Sequence, residues 1–175
     1  MIMTGKGVIP MHDEIKDALH QVYTGEAKAA LRLKVFAQKA DEEGYPQMAK
    51  LFRVIAFSEE IHGALALRVL KEIGSTEENL NESFESETGV AQVAYDAFLK
   101  LSYDLGEKGA AWLFTQNRDV EETHADLYKK ALNDLMGDRV TTYYVCSMCG
   151  YVSDGVLPDE CPVCGAKKEK FVHFE

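Results

Sequence analysis

The chain has 175 residues, 29 acidic against 19 basic side chains and a formal net charge of −10, enough length for one main domain and a small appendage. That charge argues against general binding to nucleic acid or to an acidic membrane surface. The opening Met-Ile-Met-Thr-Gly is neither a signal peptide nor a span and no apolar run approaches membrane-crossing length, so a reducing cytoplasm is the expected compartment.

Residues 12 to 40 are rich in Ala, Lys, Glu and Leu with helical periodicity, and Gly44-Tyr45-Pro46 marks a turn. A second helix is expected from about Gln47 to Ile73, with Leu51, Ile55, Glu59, His62, Ala66 and Val69 on one face. Gly74-Ser75-Thr76-Glu77-Glu78 stops it and restarts the chain, with Ser75 and Glu78 in capping-box spacing. A third helix over 76–104 places Phe84, Glu87, Ala91, Tyr95 and Phe98 together. After Gly106 and Gly109, a fourth over 109–135 carries Phe114, Asn117, Glu121, His124 and Tyr128. Gly137-Asp138 ends the helical region, and Thr141-Thr142-Tyr143-Tyr144-Val145 is β-prone. The sequence therefore predicts an all-α four-helix bundle over 1–138 and a small β domain over 139–175.

One spacing occurs twice. Glu26 is followed 33 residues later by Glu59, with His62 at i+3; Glu87 is followed 34 residues later by Glu121, with His124 at i+3. An i,i+3 pair points both side chains at one spot beside the helix. Four carboxylates and two imidazoles from two hairpins form the ligand set of a di-iron or di-manganese bundle. Such hard ligands suit iron or manganese, with zinc as a substitute. Without a cation, four buried carboxylates would each cost several kcal/mol or stay protonated. Tyr95 lies two helical turns beyond Glu87, where it could supply an electron or a proton or simply be a core tyrosine. Asn117 is one turn before Glu121 and could support it, whereas Trp112 reads as packing.

All four cysteines fall in two pairs, Cys146-x-x-Cys149 and Cys161-x-x-Cys164, each followed by glycine. In a chain without a secretory leader such pairs read as metal ligands rather than disulfides. Four thiolates select iron or zinc. The spacing alone leaves a structural zinc ribbon open, while a neighbouring two-metal site favours an iron centre that feeds it electrons.

Over nearly its full length the chain resembles the rubrerythrin family. The matching segments are Gly25-Glu26-Ala27-Lys28-Ala29, Glu42-Glu43-Gly44-Tyr45, Ser58-Glu59-Glu60-Ile61-His62, Glu78-Asn79-Leu80 and Glu121-Glu122-Thr123-His124. The tail segments Cys146-Ser147-Met148-Cys149-Gly150-Tyr151 and Cys161-Pro162-Val163-Cys164-Gly165 match rubredoxin-like knuckles. The resemblance implies a ferritin-like di-iron bundle with a rubredoxin-like tail, reducing hydrogen peroxide to water. It implies electrons from NAD(P)H through a reductase or a rubredoxin-type carrier, and a head-to-tail homodimer or a higher oligomer. By position, Glu26, Glu59, His62, Glu87, Glu121 and His124 would hold two irons, and the four cysteines a third. The chain departs from the family at Val90, where a second Glu is usual, and at Leu33, often Tyr. Six protein ligands are then expected, with His62 bound in both oxidation states.

The alternative to a peroxidase is a ferroxidase, iron-handling or dioxygen-reducing protein, for which the cysteine tail would have less purpose. A non-catalytic, zinc-stabilised module would leave the six-ligand set unexplained. A helix of about 28 residues spans about 42 Å, so a tail at its end lies about 20 Å from metals at its middle. Electron delivery is accordingly expected to cross between subunits.

Overall fold

A computed structural model describes residues 11–89, 93–137 and 139–175. Val90, the position of the family departure, and Ala91 lie outside them. The described residues divide into two compact units, 1–73 and 74–175.

The first unit is a helical hairpin of α1 (Asp13–Glu42) and α2 (Pro46–Leu70). Their contact is lined by small residues: Ala30, Ala37 and Ala40 on α1 face Ala49, Ala56, Gly63 and Ala66 on α2. The seven-residue steps from 49 to 56 to 63 keep one stripe on the partner helix. Without side chains beyond Cβ, the two backbones approach closely. A Cβ added to Gly63 would touch Glu26 Cβ at 3.7 Å. The turn is closed by Tyr45 N–H donating to Ala40 C=O at 2.8 Å and Gly44 N–H to Asp41 C=O at 3.0 Å, with Pro46 opening α2.

The second unit holds α3 (Thr76–Gly89), α4 (Tyr95–Leu105) and α5 (Lys108–Asp134), then a three-stranded antiparallel sheet. The Ser75/Glu78 capping box forms as expected, with Ser75 N–H donating to Glu78 Oε2 at 2.7 Å and Glu78 N–H to Ser75 Oγ at 3.3 Å. Of the single helix expected over 76–104, the described residues are helical over Thr76–Gly89 and again from Val93, where Val93–Ala94 are π-helical before α4; residues 90–92 lie outside the described residues. Tyr95, Phe98 and Phe114 form an aromatic cluster between α4 and α5. In the tail β1 (Tyr143–Cys146) lies between β2 (Val152–Asp154) and β3 (Phe171–Phe174). Tyr143 pairs with Asp154 on one side and Phe174 on the other. Among the described residues no helix is long and apolar enough to cross a membrane.

Candidate metal centres

Each unit carries one three-residue set. In the hairpin Glu26, Glu59 and His62 place ligand atoms within 4.8 Å of one another, and in the second unit Glu87, Glu121 and His124 do the same. Both sets have one geometry: His62 Nδ1 lies 2.9 Å from Glu59 Oε2, and His124 Nδ1 lies 3.0 Å from Glu121 Oε2. Glu26 Oε1 stands 3.8 Å from the same His62 nitrogen. The Nδ1 face of each imidazole is thus turned to carboxylate oxygens, as two nitrogen–oxygen ligand sets would require.

Burial, and then the Glu121 carboxylate beside it, push Glu87 up to about 7. Two carboxylates this close share a proton near neutral pH unless a cation replaces it. Hard oxygen donors with one imidazole per set fit iron. Tyr95 is buried in its aromatic cluster, 6.1 Å from Phe98 and 6.4 Å from Phe114 between ring centroids.

The four cysteines are free thiols that converge on one point. Cys146 Sγ lies 3.7 Å from Cys164 Sγ, and Cys149 Sγ 3.6 Å from Cys161 Sγ. A tetrahedral ion with metal–sulfur bonds of about 2.3 Å has sulfur–sulfur edges of about 3.8 Å, so the cage is the right size for iron or zinc. The two knuckles are built alike. Gly150 N–H donates to Cys146 C=O and Gly165 N–H to Cys161 C=O, each at 2.9 Å. Their φ values of +85° and +72° explain why glycine follows each pair. Burial pushes the Cys149 thiol up, and burial likewise dominates at Cys164. At Cys146 burial is outweighed by backbone N–H groups of Met148 and Cys149 and by the Cys164 thiol, which bring it down. A cation's charge would offset the cost of ionising Cys149 and Cys164.

The tail does not stay at the end of α5. It folds back along the helix, so that Gly150 C=O lies 3.4 Å from His124 Nε2 and a Cβ at Gly150 would be 3.8 Å from Val120 Cγ1. A clamp at Asp154 holds it there. Asp154 Oδ1 accepts from Thr141 Oγ1 at 2.7 Å, Oδ2 from Arg139 Nη1 at 3.0 Å, and Lys130 of α5 pairs with the same carboxylate. Burial opposes the Asp154 charge, but Lys130, Thr141 and Arg139 outweigh it and hold the carboxyl below its ordinary value.

This arrangement corrects the distance argument for electron delivery between subunits. The knuckle meets the Glu121–His124 turn of its own chain, not a point some 20 Å away along the helix. The contact of the knuckle glycine Gly150 with His124, and the parts of Val120 and Asp154, were missed in the sequence. Lys130 and Asp154 are 24 positions apart, and no local periodicity links them.

Known proteins are similar to this chain over most of its length. A family model described as Rubrerythrin matches residues 17–132, and one described as the rubrerythrin rubredoxin-like domain matches 144–172. Rubrerythrin-2 of Clostridium acetobutylicum is 30% identical over 175 residues, covering 90% of this chain and 95% of the relative. Nigerythrin of Nitratidesulfovibrio vulgaris is 28% identical over 170 residues, covering 89% of this chain and 84% of the relative. A solved structure of partially reduced nigerythrin is similar with a TM-score of 0.57 at 26% identity, covering 99% of this chain and 92% of that one.

Proposed function

Because the chain belongs to the rubrerythrin family, we propose that it is a non-haem iron peroxidase that reduces hydrogen peroxide to water. Glu26, Glu59, His62, Glu87, Glu121 and His124 would hold two irons over a bundle domain of residues 1–138. Cys146, Cys149, Cys161 and Cys164 would hold one more in a tail of residues 139–175. A bound iron pair supplies two one-electron reductions, matching the two electrons and two protons that convert one peroxide into two waters.

The single observation that carries this reading is the position of His124. Its Nδ1 faces Glu121 at 3.0 Å while its Nε2 faces Gly150 C=O at 3.4 Å. An Nε2–H donated to that carbonyl fixes the tautomer and leaves Nδ1 free for metal, the usual arrangement around a ligating imidazole. Cys149 is bonded directly to Gly150. The path from its thiolate to His124 would run through the Cys149–Gly150 peptide, the Gly150 carbonyl and one contact. A structural zinc ribbon would have no need of that contact. Tyr95, shielded by Phe98 and Phe114, is the proposed internal source of an electron or proton. Electrons reach the tail from NAD(P)H through a reductase or a rubredoxin-type carrier, in a cytoplasmic homodimer.

The test is Cys161→Ser. Steady-state peroxide reduction with an external donor should be abolished, while the chemically reduced variant should still react once with peroxide. Unchanged turnover would make the tail structural and refute electron entry through it.

A further inference from the structure

We infer that the protein also reduces uncharged organic hydroperoxides, whose organic group is held in a cavity beside His124 within the second unit. This rests on the peroxidase reading above and adds a second substrate class to it.

The fold-back of the tail makes the cavity. β1 and β2 lie over α3 and α5 next to His124, and a space of about 390 Å³ remains between them. Leu80, Leu127 and Val152 give it apolar walls, Tyr128 and Tyr143 add hydroxyls, and His124 is part of the lining. These walls continue the helix faces that bear the candidate ligands. On α5, Leu127 and Tyr128 follow His124 by three and four positions; on α3, Leu80 precedes Glu87 by seven. Such steps keep residues on one face of a helix. The cavity therefore runs alongside the Glu87–Glu121–His124 cluster rather than elsewhere on the unit.

Size argues for more than hydrogen peroxide. Its two oxygens fill the space of two waters, about 60 Å³ at about 30 Å³ each. The cavity, at about 390 Å³, falls instead among sites that hold organic ligands, which run from about 300 to about 1,000 Å³. Its Leu and Val walls gain from covering an apolar group, and the two tyrosines can donate to a peroxide or alcohol oxygen.

Charge narrows the class. A smaller chamber of about 170 Å³ adjoins, sharing Leu80, Leu127 and Tyr143, and is lined by Lys130, Arg139 and Asp134. Both cations already pair with Asp154. Two positive charges are thus answered by two carboxylates, and no surplus charge calls for a carboxylate or phosphate on the substrate. The reaction balances as it does for hydrogen peroxide. The O–O bond of ROOH breaks, two electrons from the proposed ferrous pair and two protons enter, one proton on each oxygen, and ROH and water leave.

The test uses the full-length, iron-loaded protein with cumene hydroperoxide and its reduced product, cumyl alcohol. Binding of the alcohol is measured by titration calorimetry, and reduction of cumene hydroperoxide is compared with that of hydrogen peroxide. The unaltered protein should bind the alcohol saturably and reduce both peroxides. Val152→Phe and Ala131→Phe each put a phenyl ring into the lining, and iron content and tail absorbance show which of them is folded. A folded variant should weaken alcohol binding by about tenfold or more, the scale on which an apolar pocket discriminates by small changes of volume. The ratio of kcat/KM for cumene hydroperoxide to that for hydrogen peroxide should fall with it. No saturable binding by the unaltered protein would overturn the inference, as would unchanged binding and an unchanged ratio in a folded variant. Reduction of hydrogen peroxide alone would also overturn it while leaving the peroxidase reading in place. Reduction of neither peroxide would refute the peroxidase reading, and this substrate class would fall with it.

Discussion

His124 lies between the two clusters, with one ring nitrogen facing Glu121 and the other facing the Gly150 carbonyl next to Cys149. Glu59 has the matching position on the hairpin, 2.9 Å from His62. Glu59→Ala should sharply reduce bundle iron while leaving the tail iron intact, measured by metal analysis alongside the visible absorption of the tail. Full retention of bundle iron would contradict its role. Glu87 gives a pH dependence of definite sign. Its value in the fold, about 7, lies above its ordinary 4.5. Between those values the metal-free folded state binds more protons than the unfolded state, so its stability falls as pH rises through this window. A cation removes that penalty by replacing the proton. The difference in Tm between iron-loaded and metal-free protein should therefore be wider at pH 7.5 than at pH 5, and an equal difference at both would contradict the carboxylate pairing.

At the scale of elements, the tail's position depends on Asp154 of β2 bridging Lys130 of α5, Arg139 and Thr141. Asp154→Asn should loosen that grip and slow electron passage from tail to bundle without lowering iron content. Rapid mixing of reduced protein with peroxide would check it, and an unchanged rate would show that the clamp does not set the route. The helices and the pairing of each Glu with its His were legible in the sequence because their signals are local and periodic. Glu-x-x-His repeats within one turn, the cysteine pairs carry their glycines, and the Ser75/Glu78 cap lies within four residues. The fold-back of the tail was not legible. It arises from charges 24 positions apart and from a carbonyl, Gly150, that has no side chain to announce it. The π-helical pair at Val93–Ala94 was also hidden, since the stripe through Phe84, Glu87, Tyr95 and Phe98 reads as a regular α-helix.

For the whole molecule, the central proposal is that one chain carries both the Glu87–Glu121–His124 cluster and the cysteine centre proposed to pass electrons to it. The most direct measurement mixes the fully reduced protein with about 1.5 equivalents of hydrogen peroxide per chain, the amount that accepts the three electrons of three ferrous irons. The absorbance of the oxidised iron–thiolate tail is then followed in time, in the unaltered protein and in E121A/H124A. The account predicts that the tail oxidises together with the bundle in the unaltered protein and stays reduced much longer in the variant. A tail that oxidises equally fast in both, or that stays reduced in the unaltered protein while the bundle reacts, would contradict it.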